Sequence, residues 1–268
     1  MSLVAVVGDG CTTTALGMAA AWPLGDPCMV AEFDPAGGCL AAWLDLPRSP
    51  GLADVAASSS PGSWATIQSM VQRAQSGVEV LVAPTRAMEA TAVVQAAAMS
   101  VLPVLAALDQ PVVFADGGRL RGGLSTLASR ANAVVVAHRQ HSGSAAAAAL
   151  GIERVADLTS QLVARSIPTV VALIGSRPYT ADEVSDFVEA DAVVAIADDP
   201  WAAAVLAGRA GSVIRLRRSP LMRSLDELVG VVAASLRQVG SGGGWSRSFG
   251  DRAIDDLAVD DLSMNDRS

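Results

Sequence analysis

The sequence predicts a doubly wound α/β fold, with a mostly parallel sheet of seven to eight strands and helices on both faces. Short apolar runs alternate with longer helical patterns along most of the chain. Within the runs nearly every residue is apolar, instead of every second one, which is typical of strands buried on both faces of a parallel sheet. Repeated strand–helix alternation then favours right-handed crossovers and the doubly wound arrangement.

Eight runs are predicted to form the strands. The seven clear ones, rich in Val, Leu and Ala, are Leu3–Val7, Cys28–Phe33, Val78–Val82, Pro111–Ala115, Ala133–Ala137, Thr169–Ile174 and Ala192–Ile196. The eighth and weaker run is Ser212–Leu216. Each run has the length and apolar content expected of a buried strand.

Helical patterns fill the segments between the runs. They are Thr13–Trp22, Gly38–Trp43, Ser63–Gln75, Glu89–Leu108, Gly122–Arg130, Ser144–Leu150 with Ile152–Arg165, Ala181–Val188, Asp199–Arg209 and Leu225–Val239. No linker precedes residue 239, so residues 1–239 are predicted to form one α/β domain. Residues 240–268 are predicted to be a Gly-rich linker and a disordered acidic tail. The sequence after residue 244 contains six aspartates and only three arginines.

The composition excludes several classes of protein. The chain has 268 residues and a formal net charge of −8, and all 19 of its basic residues are arginine. The acidic balance argues against a general nucleic-acid coat, so DNA is not an expected partner. No stretch of about 18 uncharged apolar residues predicts a membrane span, and no membrane anchor is expected. Three cysteines without metal-ligand spacing, and a strand directly after Met1 instead of a signal peptide, favour a cytoplasmic protein.

A glycine-containing turn follows the first predicted strand. The first helix is opened by Gly8-Asp9-Gly10-Cys11-Thr12-Thr13-Thr14. Backbone N–H groups converge at such a turn and the helix dipole favours an anion there, so the turn is a candidate phosphate site. The spacing of Gly10, Thr12 and Thr13 matches the end of a phosphate-binding loop, and Cys11 stands where that motif has lysine. The alternative is a plain glycine turn with a threonine N-cap.

Acidic residues follow two further predicted strands. These strands end in Glu32-Phe33-Asp34-Pro35-Ala36-Gly37-Gly38 and in Phe114-Ala115-Asp116-Gly117-Gly118-Arg119. Glu32 and Asp34 lie on alternate residues, so they are expected to point the same way. Asp116, at the tip of a buried strand, is suited to hold Mg²⁺ through water. Ligands bind beyond the carboxyl ends of strands in doubly wound folds, so the three segments together indicate one site, although each aspartate alone is also a common capping residue.

Taken together, these segments resemble the ParA/MinD-like family of deviant P-loop ATPases over about residues 3–239. That family has a phosphate loop ending Gly-Lys-Thr-Thr and a second strand ending Asp-x-Asp-Pro, and the similar segments here are Val4–Thr14 and Glu32–Gly38. Pro50–Val55 also resembles a family segment. Ala197–Leu206 and Arg218–Arg223 resemble the C-terminal part of actinobacterial members. The resemblance implies a P-loop NTPase-like fold.

The resemblance also implies a role for each matching residue. The residues that would wrap the phosphates of ATP or ADP are Gly8, Asp9, Gly10, Cys11, Thr12 and Thr13. Thr12 and Asp116 would hold Mg²⁺. Asp34 and Glu32 would form the acidic pair that senses or activates the attacking water. No other cofactor is indicated.

Two lysines on which that family relies are absent. Cys11 stands in place of the loop lysine, and Val6 in place of the lysine that crosses between subunits. The expected activity is at most that of a weak ATPase, because one electrostatic donor commonly contributes about 2.7–4 kcal/mol to a transition state. Arg119, three residues after Asp116, is the candidate cation to bind phosphate in their place, and the alternative is a solvated surface arginine.

Other polar features admit two interpretations each. His138 and His141 lie three residues apart, but no third metal ligand is near them in the sequence. A basic cluster is formed by Arg215, Arg217, Arg218 and Arg223. This basic cluster, and an acidic segment at 251–266, are candidate contacts for a protein partner; the alternatives are a solvated face and a solubilising tail.

The sequence therefore supports three hypotheses. The first is a cytoplasmic, ParA/MinD-like positioning or scaffold subunit, a pseudo-ATPase with a degenerate nucleotide site that serves a secretion, pilus or partitioning system, with a homodimer as one expected form. The second is an active or weak ATPase in which an arginine replaces the Walker-type lysines. The third is an α/β domain that binds a different anionic small molecule at the Gly8–Thr14 turn.

Overall fold

The computed structural model describes residues 2–23, 25–119, 125–141 and 143–241. Its elements are β1 (Leu3–Gly8), α1 (Cys11–Ala21), β2 (Cys28–Glu32), α2 (Leu40–Trp43), α3 (Leu52–Ala57), α4 (Trp64–Ser69), β3 (Gln72–Arg73), β4 (Glu79–Leu81), α5 (Ala87–Ser100), α6 (Leu102–Ala107), β5 (Val112–Asp116), α7 (Thr126–Arg130), β6 (Ala133–Arg139), α8 (Ala145–Val163), β7 (Thr169–Ile174), α9 (Ala181–Ser185), β8 (Ala192–Ile196), α10 (Pro200–Leu206), α11 (Val213–Arg217) and α12 (Pro220–Ser241). The predicted acidic tail and the start of the predicted helix Gly122–Arg130 lie outside the described residues.

The strands form one sheet in the order β3-β4-β2-β5-β1-β6-β7-β8. Seven of them pair in parallel, and β3 pairs antiparallel with β4 at the edge. In this register Val6 of β1 lies between Asp116 of β5 and Val135 of β6. The predicted fold class, a doubly wound and mostly parallel α/β sheet, is therefore confirmed.

Each central strand sends alternate side chains into two hydrophobic layers. In β1, Val4 and Val6 belong to one layer, whereas Leu3, Ala5 and Val7 belong to the other. Helices α1, α2, α10 and α12 contribute to the first layer, and helices α3 to α9 to the second. Because both faces of the sheet are covered, the strands are apolar at consecutive positions.

The predicted eighth strand, Ser212–Leu216, is wrong because this segment forms helix α11. The Oγ of Ser212 caps the helix by accepting the N–H of Arg215 at 3.3 Å. No residue of α11 is buried, so the segment has no apolar face to place inside a covered sheet.

The additional strand is β3, which lies inside the predicted helix Ser63–Gln75. Only Trp64–Ser69 is helical there. The chain then turns back on itself through Gly77, which has a φ of 91° and donates its N–H to the carbonyl oxygen of Ala74 at 2.9 Å. A positive φ favours glycine, and this turn lets β3 pair with β4.

Helix boundaries also differ elsewhere, and three differences are the largest. The predicted helix Glu89–Leu108 is divided into α5 and α6, and Pro103 lies in the first turn of α6, where its missing N–H is tolerated. The last helix begins at Pro220 and runs to Ser241. Leu52–Ala57 forms an additional helix, α3. No helix among the described residues is both long enough and apolar enough to cross a membrane.

Candidate functional site

Three strand ends meet at the carboxyl edge of the sheet. Strand β5 lies between β1 and β2, and its terminal Asp116 is beside Val6 on one side and Glu32 on the other. The N–H of Gly8 donates to the carbonyl oxygen of Gly118 at 2.9 Å, and this bond joins the turn after β1 to the loop after β5. The structure therefore brings together the three segments that the sequence placed in one site.

The turn after β1 depends on two glycines. Gly8 has a φ of 106°, and a Cβ at this position would lie 2.2 Å from the carbonyl oxygen of Ala137. Gly10 has a φ of 94° and is the N-cap of α1, without a side-chain cap. The alternative of a threonine N-cap is therefore wrong. The start of the eleven-residue helix α1 lies at this edge, and helix N-termini favour anions.

Thr12 and Asp116 contact each other directly. The Thr12 hydroxyl donates to Oδ2 of Asp116 at 2.6 Å, and the N–H of Gly118 donates to Oδ1 at 3.1 Å. Asp116 is only 2% exposed. Its carboxylate is thus satisfied by two donors, and one of them is the hydroxyl that the resemblance assigns to Mg²⁺.

Cys11 is buried at the start of α1, with its Sγ 4.0 Å from the Thr12 hydroxyl. Its side chain is 5% exposed and belongs to the hydrophobic core. Burial, followed by the nearby carboxylate of Asp116, raises the pKa of the Cys11 thiol far above its ordinary value. Val6 is fully buried in β1. The two positions that the resemblance aligns with lysines are thus a buried thiol and a core valine.

Glu32 is held inside the fold by backbone donors. Its Oε1 accepts the N–H groups of Cys39 at 2.6 Å and Leu40 at 2.8 Å, and its Oε2 accepts that of Ala83 at 2.8 Å. Burial raises the pKa of Glu32, and the three N–H bonds oppose that shift. A Cβ on Gly38 would lie 2.5 Å from Oε2. The carboxylate therefore joins β2 to the start of α2 and to the segment after β4.

Asp34 occupies a different environment from Glu32. It lies just beyond β2, is half-buried, and accepts the N–H of Ala36 at 2.8 Å. A Cβ on Gly118 would lie only 2.2 Å from the Asp34 carboxyl carbon, so Asp34 packs against the loop after β5. The two acidic residues expected to point the same way thus have separate partners.

Arg119 lies over the turn. Its Nη2 is 2.9 Å from Oδ1 of Asp9, and its side chain is 74% exposed. Arg119 therefore forms an exposed ion pair with an aspartate of the turn after β1.

Cys39 and His138 lie near the acidic residues of this site. Burial, followed by Glu32 and Asp116, raises the pKa of Cys39 to about 12. Burial lowers the pKa of His138, which Asp9 partly opposes. The sequence did not predict the contact between Ala83 and Glu32. Ala83 contributes its backbone N–H group, which cannot be recognised from the residue type. Within the described ranges no three His, Cys, Asp or Glu side chains are grouped closely enough to hold a metal ion.

This eight-stranded, mostly parallel α/β fold is similar to those of ParA and MinD proteins of known structure. A ParA family ATPase from Chlorobium tepidum TLS superposes with a TM-score of 0.63 at 15% identity, covering 85% of this chain and 97% of that one. MinD in the MinC:MinD cell division complex of Aquifex aeolicus gives 0.63 at 12% identity, covering 87% and 96%. The septum site-determining protein MinD of Pyrococcus horikoshii OT3, complexed with Mg-ADP, gives 0.60 at 14% identity, covering 86% and 94%.

The similarity to known proteins lies in the fold. No protein-family model matches this sequence, and no curated protein sequence matches it significantly. Identities of 12–15% to the solved structures establish a shared architecture and leave activity to be argued from the site.

Proposed function

We propose that this chain is a cytoplasmic positioning or scaffold subunit whose degenerate nucleotide site has lost efficient ATP hydrolysis. The observation that carries this proposal is the buried Cys11 thiol, which stands where similar phosphate loops have lysine. A neutral thiol offers no positive charge to a phosphate group. The similarity in fold to a septum site-determining protein supports a positioning role.

The charges around the turn support the loss of hydrolysis. Arg119 is paired with Asp9, so its charge is used to neutralise the turn itself. Removing one electrostatic donor from a transition state costs about 2.7–4 kcal/mol, which is a rate factor of about 10² to 10³. A site that lacks both lysines is therefore expected to turn over ATP far more slowly than one that has them.

Thr12 and Asp116 fit Mg²⁺, and the N–H groups at the start of α1 suit a phosphate, but Arg119 at the turn is already paired with Asp9. Hydroxyl and carboxylate oxygens are ligands that Mg²⁺ prefers, and here they lie 2.6 Å apart. We propose that Mg²⁺ with ATP or ADP would use these two oxygens and the N–H groups from Gly8 to Thr13. Bound Mg²⁺ would neutralise phosphate charge, and the chain's own residues would supply binding without efficient turnover.

One observation favours a second candidate function, a weak ATPase that uses arginine. Arg119 lies at the turn, is largely exposed, and is held by a single exposed ion pair, so it is free to change partner. In that case Asp34, beside the loop that carries Arg119, would be the acidic residue that orients water.

The two candidates are separated by titrating the protein with labelled ATP and Mg²⁺ and measuring phosphate release. For the pseudo-ATPase we expect weak binding and a release rate that neither Asp34→Ala nor Arg119→Ala changes. A robust rate abolished by Asp34→Ala would contradict the proposal. Loss of that rate in Arg119→Ala would identify the weak ATPase that uses arginine.

A gain-of-function variant tests the missing charge directly. Cys11→Lys should raise phosphate release by about 10²-fold over the matched variant Cys11→Met, because it restores one electrostatic donor. Circular dichroism would establish that both variants fold. If Cys11→Lys is folded but no more active than Cys11→Met, another feature disables the site. In that case phosphate release by Asp9→Asn, which removes the negative charge of the turn, tests whether Asp9 is the feature that disables the site.

A subunit of this kind would act through protein contacts. The MinD of Aquifex aeolicus is in complex with MinC. For this chain we propose a homodimer, and a protein partner bound at the basic cluster or the acidic segment 251–266. Val6 is fully buried and cannot cross between subunits, so the dimer should not depend on nucleotide. Light scattering should then give the same mass with and without Mg-ATP.

A further inference from the structure

Helix α11 exposes apolar and basic side chains together. Val213 and Ile214 are 64% and 68% exposed, and no residue of the helix is buried. Exposed apolar side chains next to several arginines are more typical of a surface that contacts another segment than of a surface that only faces solvent. We define the α11 surface as Val213, Ile214, Arg215, Arg217, Arg218 and Arg223.

A groove with a volume of about 520 Å³ opens at this surface. The Arg215 guanidinium lies 4.2 Å from the centre of the Trp201 ring, a cation–π contact that holds the arginine at the groove wall. Arg218 also lines the groove. Asp199, the acidic residue in the lining, already accepts the N–H of Ala202 as the N-cap of α10. The groove therefore offers an aromatic wall and two guanidinium groups to an acidic, apolar peptide.

The chain itself carries a segment of that chemistry. The acidic segment 251–266 has six aspartates and one arginine, a net charge of −5, against four positive charges on the α11 surface. It contains two Asp-Asp-Leu units, Asp255–Leu257 and Asp260–Leu262, whose first residues are five positions apart. A leucine beside each carboxylate pair complements branched side chains beside arginines, so charge and apolar content match on both sides.

The covalent connection is long enough for the segment to return. Helix α12 has 22 residues and therefore spans about 33 Å from the groove, where Pro220 lies, to Ser241. Residues 242–254 are 13 in number and span up to about 45 Å when extended. Asp255 can therefore reach the start of α12 without unwinding the helix.

We propose that the acidic segment 251–266 docks on the α11 surface of its own chain. Its aspartates pair with the arginines, and a leucine of an Asp-Asp-Leu unit enters the groove beside Ile214. The docked segment covers the exposed face of α11 and is displaced by a partner that presents a stronger acidic and apolar motif. This inference does not depend on the nucleotide site.

Hydrogen–deuterium exchange of the full chain tests the proposal. The variant carries Asp255→Asn, Asp256→Asn, Asp260→Asn and Asp261→Asn. A short linker gives an effective concentration in the millimolar range, so a segment of sub-millimolar affinity should slow exchange at 213–219 about two- to tenfold in the native chain relative to the variant. A control variant neutralises four exposed carboxylates elsewhere, Glu153, Asp157, Asp186 and Glu189, and should exchange like the native chain.

A charge reversal distinguishes direct docking from a general charge effect. Arg215→Glu with Arg218→Glu should lose protection at 213–219, and adding arginines at Asp255 and Asp256 should restore it. Equal exchange in the native chain and the asparagine variant would overturn the proposal. Protection that rises with protein concentration would overturn it as well, because the segment would then bind a second copy.

Discussion

At the scale of single residues, Glu32 shows how the fold uses a carboxylate internally. Its partners Cys39, Leu40 and Ala83 belong to two other parts of the chain, and the last lies 51 residues away. The same carboxylate would be half of a catalytic pair by resemblance. Its three backbone donors instead support a structural role, which we propose for it.

Replacing Glu32 with glutamine should destabilise the protein. One carboxylate oxygen becomes an NH₂ group, which leaves at least one buried N–H donor without an acceptor and costs about 1–3 kcal/mol. Urea unfolding measures the loss. Glu153→Gln, at an exposed position of α8, is the matched control and should change stability by less than about 0.5 kcal/mol. Equal stability of the two variants would contradict a structural role for Glu32.

His138 should make stability fall at acidic pH. Burial lowers its pKa, and its Nε2 has no hydrogen-bond partner within the described part of the chain. The unfolded chain therefore takes up a proton first as the pH falls through about 6.5, and the free energy of unfolding decreases. His138→Gln should remove this decrease between pH 7.5 and 5.5.

The chain's second histidine supplies the control for that measurement. His141 is exposed, and His141→Gln should keep the acid-dependent loss of stability. If both glutamine variants lose stability on acidification as the native chain does, His138 is not the group that titrates.

At the same scale, the site could be predicted only in part from the sequence. Glycine turns and acidic residues at strand ends are visible signals, and the rule that parallel strands end together brought Gly8, Glu32 and Asp116 to one edge. The pairing of Arg119 with Asp9 was not predictable, because it joins residues 110 positions apart through an exposed, flexible side chain.

At the scale of elements, the contact between α1 and α12 depends on a glycine. A Cβ on Gly17 would lie 2.3 Å from Cδ1 of Leu225, which is itself fully buried. Gly230 is also helical, but a Cβ there would meet nothing within 4 Å. The two glycines therefore differ in packing while sharing a secondary structure.

Opposite effects are expected when each of these glycines is replaced by alanine. Gly230→Ala should stabilise the protein by about 0.5–1 kcal/mol, since alanine favours a helix. Gly17→Ala gains the same preference but overpacks the core at a cost of about 1–3 kcal/mol, so a net loss is expected. Thermal unfolding of the two variants checks the contrast. Stabilisation by both would mean that Leu225 moves aside freely.

At this scale, strands and helices were predictable from the sequence where the hydrophobic pattern matches the way the segment packs in the fold. Seven strands coincide with runs in which nearly every residue is apolar, as a sheet covered on both faces requires. Strand β3 has two residues and no periodicity, so its pairing with β4 is set by the turn at Gly77 and has no local signal. Ser212–Leu216 is short enough to suit either a strand or a helix, and its serine cap decided the outcome.

At the scale of the whole molecule, residues up to Ser241 should carry the entire cooperative core. Among the described residues, Val232 of α12 is the last buried residue along the chain in the two hydrophobic layers. Deleting 242–268 should therefore leave the urea m-value almost unchanged, because m depends on the surface exposed by unfolding and a short docked segment covers little of it. Truncation after Leu228 removes the buried Val229 and Val232, at about 1.5–3 kcal/mol each, and is expected to be strongly destabilising. A lower m-value after deletion of 242–268 would mean that the tail shares the core.

One edge of the sheet is formed by the two-residue strand β3, and this affects how copies of the molecule can associate there. A long free strand exposes a row of N–H and C=O groups that can template aggregation. Strand β3 has only two residues, and Arg73 is occupied by an ion pair with Glu79 at 2.6 Å. The amide of Gln72 donates to the carbonyl oxygens of Pro47 and Pro50. Growth of fibres by strand addition at the β3 edge is therefore disfavoured.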